Sequence, residues 1–412
     1  MVFVFVRVPK ITSMSDKFSS RITQEDESYL SLFWTFLKIG STSFGGFMAL
    51  ISVVQSYVVE RKKLLSNEEM LNGISLATIL PGPVAVNVVA YCGYKIRGLL
   101  GAFVCVTAVI LPSFLLILAL SHAYFSWGEI PTVSKIFNGF LPGVAAIIIS
   151  AAFNMGKKAL KSYIEVSIAI LSMLVLIFVG GLYSTLSIIF ISGVIGYFAF
   201  IHEDSSSSNL LSINSLIPKS LIATISAYLI VFAFAVFKSN TIILAKLFSI
   251  FSSMSLLLFG GGFVFIPLIQ EVVVGVNGWL NNKEFIDGIA LGQITPGPIL
   301  LSATFIGYKL AGFFGALVAT VGIFIPPTIL MLVCTNFLDV LNNSGPIKAI
   351  LKGIRCAVIG LIAAAAYVVI SSAEMNITTM IIFIVSLVML FYFKLEVVWV
   401  IIATGIAGFL MY

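Results

Sequence analysis

Two short stretches decide how this chain folds: Ile79-Leu80-Pro81-Gly82-Pro83-Val84 and Ile294-Thr295-Pro296-Gly297-Pro298-Ile299. Each interrupts an apolar run of helical composition, Asn67 to Ile96 and Glu284 to Leu310. Proline removes a backbone donor, clashes with the preceding turn and pushes the residue before it out of the helical region, while glycine between two prolines permits a sharp reversal. In lipid, broken backbone survives only where protein or a water-filled cavity satisfies the freed polar groups. The two stretches therefore predict broken helices around a cavity, the usual setting of a transport site.

Composition requires the membrane. Of 412 residues, 60% are hydrophobic and 10% charged, and the mean hydropathy is +1.14, which excludes soluble globular and disordered chains. The formal charge of +6 comes from Lys and Arg lying mostly between apolar runs, where they set orientation rather than bind nucleic acid. The bilayer is the large partner. Cys92, Cys105, Cys334 and Cys356 lack metal-ligand spacing, and His122 and His202 are too few for a metal centre, so no cofactor is expected. No His-Glu-x-x-His and no paired catalytic aspartates occur, which disfavours an intramembrane enzyme.

The chain is duplicated. Phe44-Gly45-Gly46, Gln55, Glu69, Gly73, Leu76 and Pro81-Gly82-Pro83 recur 215 positions later as Phe259-Gly260-Gly261, Gln270, Glu284, Gly288, Leu291 and Pro296-Gly297-Pro298. After one deletion the offset is 214, and Gly93-Tyr94-Lys95, Gly98, Gly101-Ala102 and Pro112 match Gly307-Tyr308-Lys309, Gly312, Gly315-Ala316 and Pro326. The expected fold is an all-α polytopic membrane protein with two inverted-topology repeats, built from broken or re-entrant helices and joined by a linker transmembrane helix. Its parts are a cytoplasmic tail (1–28), a first repeat (29–201), a polar loop with the linker helix (202–242) and a second, inverted repeat (243–412).

Parity and charge set the orientation. Six spans plus the linker, or four plus the linker if the broken segments are re-entrant, are both odd, so the second copy is inverted either way. Re-entrant hairpins keep Arg61, Lys62, Lys63, Lys95, Arg97, Lys157, Lys158 and Lys161 on the side of the tail, in accord with positive-inside counting. Asn67 to Leu80 spans about 20 Å of helix at roughly 1.5 Å per residue, short of a core roughly 30 Å thick, so it stops near the midplane.

Several residues are candidates for an anion site. Pro83 and Pro298 are expected at the first position of a new helix, whose free amides, Val84 to Val86 and Ile299 to Leu301, attract anions. Asn87 and Ser302 lie one turn on, and Thr78, Gln293 and Thr295 lie just before the breaks, where each can donate to an oxyanion or bond its own helix. The Phe-Gly-Gly copies allow close backbone approach or a further break. Glu69 and Glu284 fall in capping-box patterns, Ser66-Asn67-Glu68-Glu69 and Asn281-Asn282-Lys283-Glu284, which competes with a coupling role. Asp287, aligned with Asn72, is the better candidate for an asymmetric ionisable group. Lys95 and Lys309 end the returning half-helices, complementing the helix dipole or drawing anions into a vestibule.

The ordered set Phe-Gly-Gly, Pro-Gly-Pro and Gly-Tyr-Lys followed by Gly-x-x-Gly-Ala, in two copies, resembles the chromate ion transporter family in its long, two-domain form. The resemblance covers nearly the whole chain. It implies an inner-membrane, multi-pass carrier that exports chromate, with halves of opposite orientation and function carried by Phe44 to Gly46, Pro81 to Pro83, Phe259 to Gly261 and Pro296 to Pro298. Sulfate is also a tetrahedral dianion and stands as an alternative substrate. An anion channel with re-entrant pore hairpins is the alternative mechanism, and a homodimer is a candidate assembly.

Overall fold

The computed structural model describes residues 28–43, 47–127, 131–180, 182–201, 241–258, 262, 265–335, 345–371 and 376–412. The tail, the linker span and both Phe-Gly-Gly triplets, Phe44 to Gly46 and Phe259 to Gly261, lie outside the described residues. Those described form an all-α membrane protein of fourteen helices. The first seven are α1 (Tyr29–Thr42), α2 (Phe47–Gln55), α3 (Asn67–Ile79), α4 (Val84–Trp127), α5 (Pro131–Ala159), α6 (Tyr163–Phe178) and α7 (Leu182–Phe200). The second seven are α8 (Thr241–Ser255), α9 (Phe265–Gln270), α10 (Asn282–Ile294), α11 (Ser302–Thr335), α12 (Gly345–Ser371), α13 (Ile377–Phe391) and α14 (Val397–Met411). Even local irregularities are duplicated, since α2 and α9 both widen into a π-helical turn, Ser56–Arg61 and Glu271–Val276.

The long helices α4 and α11 are not straight rods. Gly98 (φ 64°) and Gly312 (φ 56°) take the left-handed region that glycine tolerates, and the chain turns back on itself there. Gly93 and Gly101 consequently meet backbone to backbone, as do Gly307 and Gly315; a Cβ on Gly101 would lie 2.4 Å from the Gly93 carbonyl oxygen. In a continuous helix residues eight apart would be about 12 Å distant. A second reversal lies at each Pro-Gly-Pro. Met70 and Gly73 of α3 pack against Cys92 and Tyr91 of α4, and Gly288 of α10 packs against Phe305 of α11, pairings that only an antiparallel hairpin allows.

The two hairpins enter from opposite ends of the bundle. After its reversal, the remainder of α4 (residues 99–127) runs on the order of 40 Å. Its start lies beside the first hairpin's mouth, where Arg97 stacks on Tyr29 at 4.9 Å. Its far end lies beside the second hairpin's mouth, where Tyr124 bonds Asp287 and His122 bonds Tyr308. The repeats are thus inverted with respect to each other. Small residues let the outer helices approach closely, as is usual between membrane helices. Gly139 of α5 meets Gly408 of α14, and in the other copy Gly353 of α12 meets Gly196 of α7.

Candidate functional site

The two breaks are held by each other's repeat. Gly82 N–H donates to the carbonyl of Leu258 (2.7 Å), and Gly297 N–H donates to that of Ser43 (2.9 Å). Ser43 and Leu258 are counterparts, each immediately preceding a Phe-Gly-Gly triplet. Such a reciprocal exchange is what a twofold relation produces. It also leaves the carbonyls at the ends of α3 and α10 without the amides that a continuing helix would supply. Both glycines have positive φ, 109° and 98°, which residues with a Cβ rarely adopt.

Side chains across the interface complete the contact. Ser113 of α4 donates its hydroxyl to the Pro296 carbonyl, and its counterpart, Pro327 of α11, packs on Gly82. A Cβ on Gly82 would sit 2.2 Å from the Pro327 Cβ, and one on Gly297 would sit 3.0 Å from the Ser113 hydroxyl. Beyond the break, Pro83 and Pro298 are N-caps rather than first helical residues. The Pro83 carbonyl already accepts from Asn87 N–H (2.9 Å), and in the second copy a 3₁₀ turn, Ile299–Leu301, precedes α11. The amides of Val84, Ala85 and Val86 still lie ahead of the first intrahelical bond, in a fully buried setting.

The polar candidates divide. Asn87 is wholly buried beside the first break, its Nδ2 donates to the Pro81 carbonyl at 3.3 Å, and its Oδ1 has no partner. Ser302, Thr295 and Thr78 instead donate inward, to the carbonyls of Ile299, Gly292 and Ser75. In this conformation those hydroxyl protons do not point to a ligand. Gln293 is half-buried at the end of α10.

The charged candidates lie at the hairpin mouths, away from the breaks. Glu69 and Glu284 both close full capping boxes, with Ser66 and Asn281. Glu284 is also ion-paired with Lys309, tying the mouth of the second hairpin, while Lys95 lies over the Tyr91 ring at 5.7 Å. Asp287 is 1% exposed; its Oδ2 accepts from the Tyr124 hydroxyl (2.7 Å), and its Oδ1 has no partner. The Tyr124 ring is in turn packed edge-on against Phe125, Phe137 and Phe305, and Phe125 stacks on Phe305.

Among the described residues one cation reaches the breaks, and it is not among the sequence candidates. Arg355 of α12 donates Nη2 to the Thr78 carbonyl (2.6 Å), one of the carbonyls orphaned at the end of α3. Its signal in the sequence is an arginine inside the apolar run Ile347 to Ile370, easily taken for one more cytoplasmic charge with Lys348 and Lys352.

The copies differ in how the first arm of each hairpin is covered. α10 is packed against α5 and α14, and every residue from Phe285 to Gly292 is buried. Among the described residues its counterpart α3 has no equivalent packing on α12 and α7. Leu71 is 61% exposed and Thr78 is exposed as well. The groove that Ile294 of α10 enters, between Ile136 and Phe140 of α5 and Gly405 and Ile406 of α14, has a volume of about 400 Å³. The corresponding groove, between Ile350 and Ile354 of α12 and Gly193 and Val194 of α7, is about 660 Å³ and does not include α3.

Comparison with known proteins matches both halves of the chain. The chromate transporter family profile matches residues 30–197 and 245–409. The chain is similar to an uncharacterized transporter of Methanocaldococcus jannaschii, 33% identical over 97% of this chain and 98% of that one. It is also similar to the chromate transport protein of Pseudomonas aeruginosa, 30% identical over 93% of each chain, and to that of Cupriavidus metallidurans, 28% identical over 87% of each. No solved structure matches. Matched in both halves and along nearly its full length, the chain belongs to the chromate transporter family.

Proposed function

We propose that this protein is a secondary transporter that exports chromate, or a related tetrahedral dianion such as sulfate, across the plasma membrane by alternating access. The observation that carries the mechanism is the unequal covering of α3 and α10 around a symmetric pair of breaks. In inverted repeats, a closed arrangement on one side and an open one on the other define a single state, and exchanging the two arrangements generates the opposite state. With the N-terminus and Arg61 to Lys63 cytoplasmic, the gap between α3, α7 and α12 opens inward, and α10 seals the outer side. Lys352 and Glu165 (3.0 Å), with Phe200 beside them, then fall on the cytoplasmic face with the start of α3.

The site in this reading is the space at the two breaks, bounded by Pro81 to Pro83, Asn87, Pro296 to Pro298 and Ser302, with Thr78, Gln293 and Thr295 at its edges. Buried amides at the start of α4 and at the second break offset anionic charge, each helix end counting as roughly half a positive charge. Glu69, Glu284, Lys95, Lys309 and Asp287 act at the hairpin mouths as supports. An inside-negative potential drives a dianion outward by about 2.3 kcal/mol per charge per 100 mV, so export does not require proton exchange.

The test is radiolabelled chromate and sulfate flux in inside-out vesicles. Saturable uptake with acceleration by chromate or sulfate on the trans side is expected of a carrier. Single-channel currents carried by either anion would establish the channel reading instead, and absence of flux in correctly inserted protein would refute transport of these anions.

A further inference from the structure

We infer that Arg355 supplies the positive charge that holds the transported oxyanion on the open side of the breaks. The inference rests on the transport reading above and names a residue that reading does not use. Arg355 lies ten residues into α12, about 15 Å along a helix at 1.5 Å per residue, which is half the thickness of a roughly 30 Å hydrocarbon core. A charged side chain at that depth is costly and faces a partner or a wet cavity. One turn nearer the helix start, Lys352 has its partner: Glu165 at 3.0 Å, itself buried and held by the Ser162 amide. Arg355 has none, for among the described residues no carboxylate lies within ion-pair distance of it.

What Arg355 does have, among the described residues, is one carbonyl. The bond to Thr78 uses one of the five N–H donors of a guanidinium and fixes the plane of the group at the end of α3. The remaining donors belong to a fork suited to two oxygens of one anion. Thr78 is exposed and Arg355 is half-buried, so the guanidinium is not enclosed in a packed interface. The second repeat contributes this charge alone, because the counterpart of Arg355 on α5 is Leu141. A half-buried cation at membrane depth, anchored beside a break and without a carboxylate among the described residues, is a site for an anion of at least two oxygens.

A merely structural Arg355 would cap the Thr78 carbonyl and nothing more, and the test separates the two roles. Arg355→Gln keeps an N–H for that carbonyl and removes the charge; Arg355→Lys keeps the charge and loses the fork. In reconstituted vesicles, Arg355→Gln is expected to raise the KM for chromate by about ten- to hundredfold with little change in maximal rate, and Arg355→Lys to recover part of the loss. An unchanged KM, or a fall in maximal rate at constant KM, overturns the inference. A second readout needs no transport. With Thr78→Cys in a background lacking the four native cysteines, an anionic methanethiosulfonate reagent should outpace a cationic one, and Arg355→Gln should reduce that ratio by about tenfold. An equal ratio in both backgrounds overturns the inference even if chromate proves not to be the substrate, whereas a changed ratio without chromate flux faults only the transport reading.

Discussion

Replacing Gly82 with alanine should damage the protein more than the same change at Gly297, although the two residues occupy equivalent places. Both take φ near +100°, so alanine at either site costs about 1–3 kcal/mol in backbone strain. The difference lies across the interface. At Gly297 the new methyl meets the Ser113 hydroxyl at 3.0 Å, and that group can rotate away. At Gly82 it meets Pro327 Cβ at 2.2 Å and Cγ at 2.9 Å, atoms of a ring with no rotamer to change, within α11. The first hairpin must therefore withdraw from the second repeat, and the Gly82 amide loses the Leu258 carbonyl. A buried amide left unpaired adds about 1–3 kcal/mol, for a total near 2–6 kcal/mol at Gly82. Heat-step survival of purified protein, read by size-exclusion chromatography, should rank wild type above Gly297→Ala and Gly297→Ala above Gly82→Ala. Chromate flux per inserted molecule should fall in the same order. Equal survival of the two variants would refute the reciprocal packing from which the difference is derived.

Other outcomes follow from the unequal hairpins. With native cysteines removed, Ile294→Cys paired with Ile406→Cys should cross-link readily, while the counterpart pair, Ile79→Cys with Val194→Cys, should do so only when chromate is present; cross-linking of the second pair independent of substrate would contradict alternating access. Adding Arg355→Leu to that second pair should permit cross-linking without substrate, and continued dependence on chromate would argue against Arg355 as the residue that holds the gap open. Asp287→Leu deprives the Tyr124 hydroxyl of its acceptor at a cost of about 1–3 kcal/mol, whereas Asp287→Asn keeps one, so thermal survival should fall for leucine only; equal survival would remove Asp287 from the hairpin's support.

Much of this was legible in the residues. Proline and glycine act locally, so Pro81-Gly82-Pro83 and its copy announce a break whatever surrounds them, and the short length of α3 announces a hairpin. The capping boxes of Glu69 and Glu284 are equally local. What the sequence does not carry is which groups meet across the interface. Ser43, Ser113, Leu258 and Pro327 have ordinary side chains in apolar segments, and their part arises because the second copy is inverted and swaps contacts with the first. Gln270, the counterpart of Gln55, donates to Asn282 within its own repeat, a partner the match between copies does not name. Hydroxyls near the breaks satisfy their own helices, a local choice that spacing cannot reveal.

Two identical repeats would give two states of equal energy, because exchanging their arrangements reproduces every contact. Divergence at a few positions breaks that equality. Leu141 stands where the other copy has Arg355, Asn72 where it has Asp287, and Ser113 where it has Pro327. In the state described here α10 is docked with Asp287 bonded to Tyr124, and Arg355 borders the gap that α3 leaves. Docking α3 on α12 would enclose Arg355 where the equivalent interface has leucine. Desolvating a charge without a partner costs several kcal/mol, and even about 2.7 kcal/mol suffices for a 99:1 preference. A bound dianion removes that cost by pairing with the guanidinium as the gap closes. The same contact would then do two things: attract the anion from the cytoplasmic side, and favour the closed state when the anion is present. Such coupling of closure to binding belongs to a carrier rather than a channel, because a ligand shifts a conformational equilibrium only by its differential affinity for the two states.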